Sequence, residues 1–252
     1  MPRTTILFLI LIPVLFLAAC GGTTTTETKQ PAAATVPVEQ AATITGKVMF
    51  TGAKPAPRPL SMDATPACAR MHTTPPVSEE VVVNPDGSLK NVFIYVKTGP
   101  AVGQNWPAPK ESVKVDQLGC VYKPHVVALM TGQDIEFSNS DDTNHNIHPL
   151  PRLNREWNES QPPKGDRKVK SFAKEEFMMP VKCNVHPWMR LYVNVVSHPF
   201  YAVTGDDGSF TLQGLPPGDY TIEALHEKFE SQEIKVKVGP KESGKADFTF
   251  KG

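Results

Sequence analysis

Proline punctuates this chain: 25 prolines in 252 residues, against 17 glycines. The proline ring clashes with the preceding helical turn and offers no N–H. It therefore breaks helices and is confined to turns, edges and bulges of sheets. Between the prolines run short clusters such as Val92-Phe93-Ile94-Tyr95-Val96 and Leu191-Tyr192-Val193-Asn194-Val195-Val196. β-Branched and aromatic runs of that length, bounded by turn residues, read as strands. The expected fold class is all-β, in one large or two small domains. The 26 basic and 26 acidic residues cancel, and no basic run points to nucleic acid.

Residues 1–19 read as an export signal. Arg3 supplies a short positive start, and Ile6 to Leu17 is an apolar run too short for a comfortable membrane span. It ends in Leu17-Ala18-Ala19-Cys20, which resembles a bacterial lipobox. That resemblance implies cleavage before Cys20 and a lipid on its sulfur. Gly21, not Asp, follows, which leaves the outer membrane open as an address. Residues 20–42 are poor in large apolar side chains and cannot build a core, so they read as a tether. The expected location is the bacterial cell envelope, facing the periplasm and held at the membrane through the N-terminal lipid.

Past the tether, Thr43 to Phe50 reads as a strand and Thr51-Gly52 as a turn. Residues 53–80 are Pro-rich and irregular. Val81 to Val83 and Val92 to Val96 read as strands around the turn Asn84-Pro85-Asp86-Gly87. Further strands are expected from Val113, over Tyr122 to Leu129, over Ile135 to Asn139, ahead of Cys183, and over Leu191 to Val196. The polar stretch 152–170 has no periodicity and reads as loop.

The chemistry concentrates in Cys183-Asn184-Val185-His186-Pro187-Trp188-Met189. Cys and Met are soft ligands and imidazole suits copper. Two His, one Cys and a long axial Met form the trigonal donor set of blue-copper sites. The second His comes from Asn144-His145-Asn146-Ile147-His148. On a strand His145 and Ile147 share a face and His148 points away. His145 is therefore the expected ligand, with His148 as the alternative. The expected metal set is His145, Cys183, His186 and Met189, holding one copper. With Cys20 on lipid and Cys183 on metal, Cys68 and Cys120 remain in an oxidising compartment, and a Cys68–Cys120 disulfide is expected. His125 reads as a surface or packed residue. A second metal site of His125, Cys120 and His72 is the alternative. Adjacent Met178 and Met179 project to opposite faces of a strand and read as packing.

Residues 113–198 resemble a cupredoxin, a Greek-key β-sandwich, and the ligand loop looks most like that of amicyanin. The resemblance rests on two residues between Cys183 and His186, two more between His186 and Met189, and the dipeptide His145-Asn146. It implies that Asn146 braces the ligand loop and that Pro187 stiffens it. It also implies that His186 is a surface electron port, with Pro187 and Trp188 in an apolar docking patch. Residues 199–252, with Gly205-Asp206-Asp207-Gly208 and Gly214-Leu215-Pro216-Pro217-Gly218, resemble the carboxypeptidase regulatory-like domain, a prealbumin-like sandwich. Its first strand is expected at Ile44-Thr45-Gly46-Lys47-Val48. The expected organisation is a discontinuous sandwich of 43–112 and 199–252 with the 113–198 domain inserted. Domains joined in series are the alternative. The function implied is one-electron transfer between redox protein partners by a non-enzymatic copper protein. Copper storage or delivery, and an accessory binding lipoprotein in which zinc takes the site, are the competing readings.

Overall fold

The computed structural model describes Met1 and residues 33–252. The export signal, Cys20 and the first part of the tether therefore lie outside the described residues. No helix among the described residues is long and apolar enough to cross a membrane. All but one of the elements among the described residues are strands, and the exception is the single turn of helix α1 (Pro66–Ala69).

The first sandwich starts from β1 (Ala42–Thr51). It pairs antiparallel with β13 (Ser209–Leu215), parallel with β16 (Ser243–Lys245) over Thr43–Thr45, and parallel with β17 (Phe248–Lys251) over Val48–Thr51. Gly46 sits where one edge partner gives way to the other. A Cβ there would stand 1.9 Å from the Ala246 carbonyl oxygen, so no other residue lets the backbones approach this closely. The facing sheet is antiparallel: β12 (Tyr201–Val203), β2 (Phe93–Thr98), β14 (Gly218–Leu225) and β15 (Gln232–Val238). Ile44, Val48, Phe210, Leu212, Phe248 and Phe250 meet Ile94, Val96, Ile222 and Ala224 between them. Each of the larger of these side chains contributes about 1.5–3 kcal/mol over an exposed one.

The second sandwich has one sheet of β4 (Tyr122–Lys123), β3 (Val113–Gln117), β6 (Asp134–Asn139) and β9 (Lys168–Ser171). The other runs β5 (Val126–Met130), β11 (Arg190–Val196), β10 (Glu176–Lys182), β7 (His145–Pro149) and β8 (Glu159–Gln161). β3 pairs parallel with β6, and β5 parallel with β11. Val115, Ile135 and Phe137 face Val127, Leu129, Leu191, Val193 and Val181.

Strand β2 joins the two. Ile94 and Val96 enter the first core, while Phe93 and Tyr95, on the opposite face, join a third cluster with Val196. Phe177 and Met178 of β10 pack there, with Tyr95 and Phe177 ring centroids 4.5 Å apart. A strand buried on both faces reads as a continuous apolar run instead of an alternating one, and Phe93-Ile94-Tyr95-Val96 is such a run. Met178 and Met179 divide as their adjacent positions demand, Met178 to the junction and Met179 to the second core.

Several local expectations change. Tyr122–Leu129 is two strands, because Pro124 lacks the N–H that a continuous ladder needs. Val81–Val83 makes only an isolated bridge, Val83 to Leu89. The stretch 152–170 holds β8 and the start of β9, edge strands too short to announce themselves by periodicity. Within the 43–112 stretch, residues 59–72 leave the first sandwich. Met62 and Cys68 pack into the second core.

Candidate metal centre

The strand ends build the site. β10 stops at Lys182, the next residue is Cys183, and β11 resumes at Arg190. The intervening loop closes on itself: the Cys183 N–H donates to the Met189 carbonyl at 3.2 Å, and the Met189 N–H donates to the His186 carbonyl at 2.9 Å. β7 lies beside β10 and begins at His145. His145 Nδ1 and His186 Nδ1 therefore meet at 2.9 Å, with Cys183 Sγ 3.8 Å from His186 Nδ1. The donor atoms of His145, Cys183 and His186 all lie within 4.8 Å of one another. These three residues and Met189 are at most 2% exposed. Burial pushes the Cys183 thiol up, but hydrogen bonds from His145, His186 and the Asn146 N–H hold it down to about 6.

Asn146 ties the two segments together. Its N–H reaches Cys183 Sγ at 3.4 Å, and its side-chain oxygen accepts the Asn184 N–H. Its amide group donates in turn to Asn158. His148 faces away from the cluster, with Nδ1 3.1 Å from Asn184 Oδ1 and Nε2 2.7 Å from Glu156.

Asp141 was not among the residues singled out by sequence. Its Oδ2 lies 2.8 Å from His145 Nε2. It accepts the Gly119 N–H at 2.6 Å and the Cys120 N–H at 2.7 Å. Burial raises the Asp141 carboxyl, but His145 and the two N–H donors bring it below the usual carboxylate range. A carboxylate on the outer nitrogen of a ligating His fixes its tautomer and orientation. The only sequence signal is an acidic residue four positions before His145.

Cys68 and Cys120 form a disulfide with Cα atoms 5.7 Å apart. The bond sits against the His145–Cys183–His186 cluster: Cys68 Sγ is 3.4 Å from His186 Nε2. This corrects the assignment of His186 as a surface electron port. Its outer edge is covered, and the residue is 1% exposed, because the 59–72 segment is pinned across it. Trp188 is half-buried and donates Nε1–H to the Cys120 carbonyl at 2.9 Å, while Pro187 stays exposed. Pro187, Trp188 and Met189 line a groove of about 470 Å³, with Arg58, Glu80 and His125 on its other walls. His125 pairs with Glu227 and His72 with the Gly119 carbonyl, so neither joins Cys120 in a donor cluster.

Comparison with known proteins gives two kinds of similarity. The carboxypeptidase regulatory-like domain family matches residues 190–251, starting at the first residue of β11. Solved structures give cupredoxin and amicyanin neighbours. A purple cupredoxin from Nitrosopumilus maritimus is 21% identical, over 33% of this chain and 99% of its own, with a TM-score of 0.29. A reduced amicyanin mutant is 19% identical, over 39% and 86%, with a TM-score of 0.30. A copper-containing nitrite reductase from Thermus scotoductus SA-01 is 23% identical over 39% of this chain, with a TM-score of 0.30, and the match spans only 25% of the reductase. No curated protein sequence matches.

Proposed function

We propose that this is a type 1 copper protein that carries single electrons between redox protein partners, held at a bacterial membrane by a lipid on Cys20. The observation that carries the reading is the convergence of two imidazole Nδ1 atoms and a thiol in a buried cluster, with Met189 buried in the same core. Two imidazole nitrogens 2.9 Å apart beside a thiol need a proton or a cation between them, and two imidazoles with a thiolate suit copper. Copper bound there supplies the one-electron couple. The residues do the rest. Strands β7 and β10 fix His145 and Cys183, Asn146 locks the loop that bears His186, and Asp141 orients His145. The second core, in which Cys183 and Met189 pack, limits how far the donors shift when charge changes.

Storage or delivery of copper is the second reading, and the covered edge of His186 favours it. A closed site slows exchange with an outside partner and retains its metal. For the domain plan we propose the discontinuous sandwich of 43–112 and 199–252 around an inserted 113–198 domain, with residues 59–72 as a strap that crosses to the insert.

The test is an optical spectrum of the full chain loaded with Cu(II), beside Cys183→Ser. An intense visible band in the parent that is absent from the variant supports the type 1 reading. A colourless parent that binds zinc in preference sinks it. A coloured parent that exchanges electrons slowly with a soluble oxidant, and retains copper against a chelator, favours storage.

A further inference from the structure

A second set of soft donors stands back to back with the first. Cys68 Sγ, Cys120 Sγ and His186 Nε2 lie within 4.8 Å of one another, and all three residues are at most 1% exposed. His186 turns Nδ1 toward His145 and Cys183 and Nε2 toward Cys68 Sγ. One imidazole thus has sulfur near both of its nitrogens.

The positions of both sulfurs are held by more than their mutual bond. Cys120 gives its N–H to Asp141 and takes the Trp188 Nε1–H on its carbonyl. Cys68 lies in α1, its N–H bonded to the Thr65 carbonyl at 2.9 Å, and packs in the second core. Opening the S–S bond therefore leaves two thiols beside Nε2. Two thiolates and an imidazole are a set selective for Cu(I), because thiolate is soft.

We propose that Cys68, Cys120 and His186 form a second metal site, which takes one Cu(I) when the disulfide is reduced. The reductant is a dithiol. Its two sulfurs join in a disulfide as the Cys68–Cys120 bond breaks, and its two electrons and two protons leave Cys68 and Cys120 as thiols. Cu(I) then displaces both thiol protons to solvent, with no change in its own oxidation state. The disulfide form is closed to metal and the dithiol form is open. Since His186 is common to both sets, this site is a holding position one imidazole away from the Cys183 site. The inference does not require that site to carry electrons.

The test uses the full chain with Cys20→Ser and Cys183→Ser, which leaves Cys68 and Cys120 as the only cysteines of the original 4. The protein is treated with a dithiol, desalted without oxygen, given one equivalent of Cu(I), and alkylated. Modified cysteines are counted by mass spectrometry. Both cysteines alkylate without copper, and Cu(I) slows both by about 10-fold or more; the untreated disulfide form shows neither behaviour. Adding His186→Ala removes a direct ligand and weakens the protection by more than the roughly 10-fold that loss of an outer-layer partner costs at the least. Equal alkylation with and without Cu(I) overturns the proposal. So does a bond that the dithiol leaves intact in the folded protein, or protection unchanged by His186→Ala, which marks a loose dithiol. Failure of the electron-transfer reading shows elsewhere, as a missing visible band in the unsubstituted Cu(II)-loaded chain.

Discussion

The two sandwiches use the same strand alternation to enclose different chemistry. The buried members of the first core, from Ala42 to Phe250, are aliphatic and aromatic and hold no sulfur. The second core holds Met62, Cys68, Cys120, Met179, Cys183 and Met189, with His145, His186, Asp141 and Asn146 also buried around it. An apolar core is stabilised by area and close packing alone, and it tolerates no change of shape without cost. A core with buried imidazoles and a carboxylate must give those groups partners, and the ties from His145 to Asp141 and from Asp141 to Gly119 and Cys120 supply them. One half is thus a scaffold whose core is held by packing, with buried polar groups such as Thr204, His198 and Glu223 tied at its margin. The other gives up part of that simplicity to hold donors in a fixed arrangement.

The largest expected break in this contrast is Cys183→Ser. It removes the soft donor on which the others converge. Copper affinity is expected to fall by more than the roughly 10–100-fold that an outer-layer partner costs, measured by competition with a chromophoric chelator. The thermal unfolding of the metal-free protein is expected to change little by comparison. The mirror experiment is Ile222→Ala, a fully buried side chain of β14. It is expected to cost about 2–5 kcal/mol in denaturant unfolding while copper affinity stays at the parent value. If Ile222→Ala also weakens copper binding, the two halves are coupled through the Phe93–Tyr95–Phe177 junction and the contrast fails.

These two residues also mark how far the sequence could be read. Ile222 belongs to a strand with ordinary signals, and the all-β class followed from proline and strand runs. The donors were legible because their logic is local. The loop from Cys183 to Met189 closes through its own backbone bonds, and the two-residue period separates His145 from His148. What stayed hidden is long-range or aperiodic. Cys68 and His186 are 118 positions apart, and the strap between 53 and 80 has no repeat that shows which core it covers. The resemblance of the ligand loop to amicyanin carried an exposed His edge with it. The structure lays a segment over that edge which the loop's own residues do not encode. Asp141 sits in a turn, where an acidic residue needs no special explanation until its partner is seen.

Asp141→Asn sharpens the comparison on a smaller scale. The amide keeps the shape but loses the charge on the outer nitrogen of His145. Copper affinity is expected to fall by about 10–100-fold, with a shifted visible band if the type 1 reading holds. A change confined to stability, with affinity and spectrum intact, would reduce Asp141 to an anchor for the Gly119–Cys120 turn.

The smallest effect tests an imidazole placed against the first, apolar core. His226 is 5% exposed, stacks on Phe229 at 4.7 Å and accepts the Lys228 N–H on Nδ1 at 3.1 Å. Its Nε2 has no partner among the described residues. Burial first, then the nearby His125, lowers its pKa to about 4. The folded state therefore binds the proton less readily than the unfolded chain, whose His titrates near 6.5. Above that value both states are neutral and the group costs nothing. As pH falls, the unfolded state gains the proton first, and stability drops until the folded state protonates near 4. Between pH 7 and 5.5 the loss is roughly 1 kcal/mol by this linkage. His226→Phe is expected to remove that increment while keeping the ring contact with Phe229. Denaturant midpoints of parent and variant at the two pH values measure it. An unchanged difference between the two pH values would mean that His226 is not held neutral by its surroundings, and that the apolar half carries no proton linkage at this position.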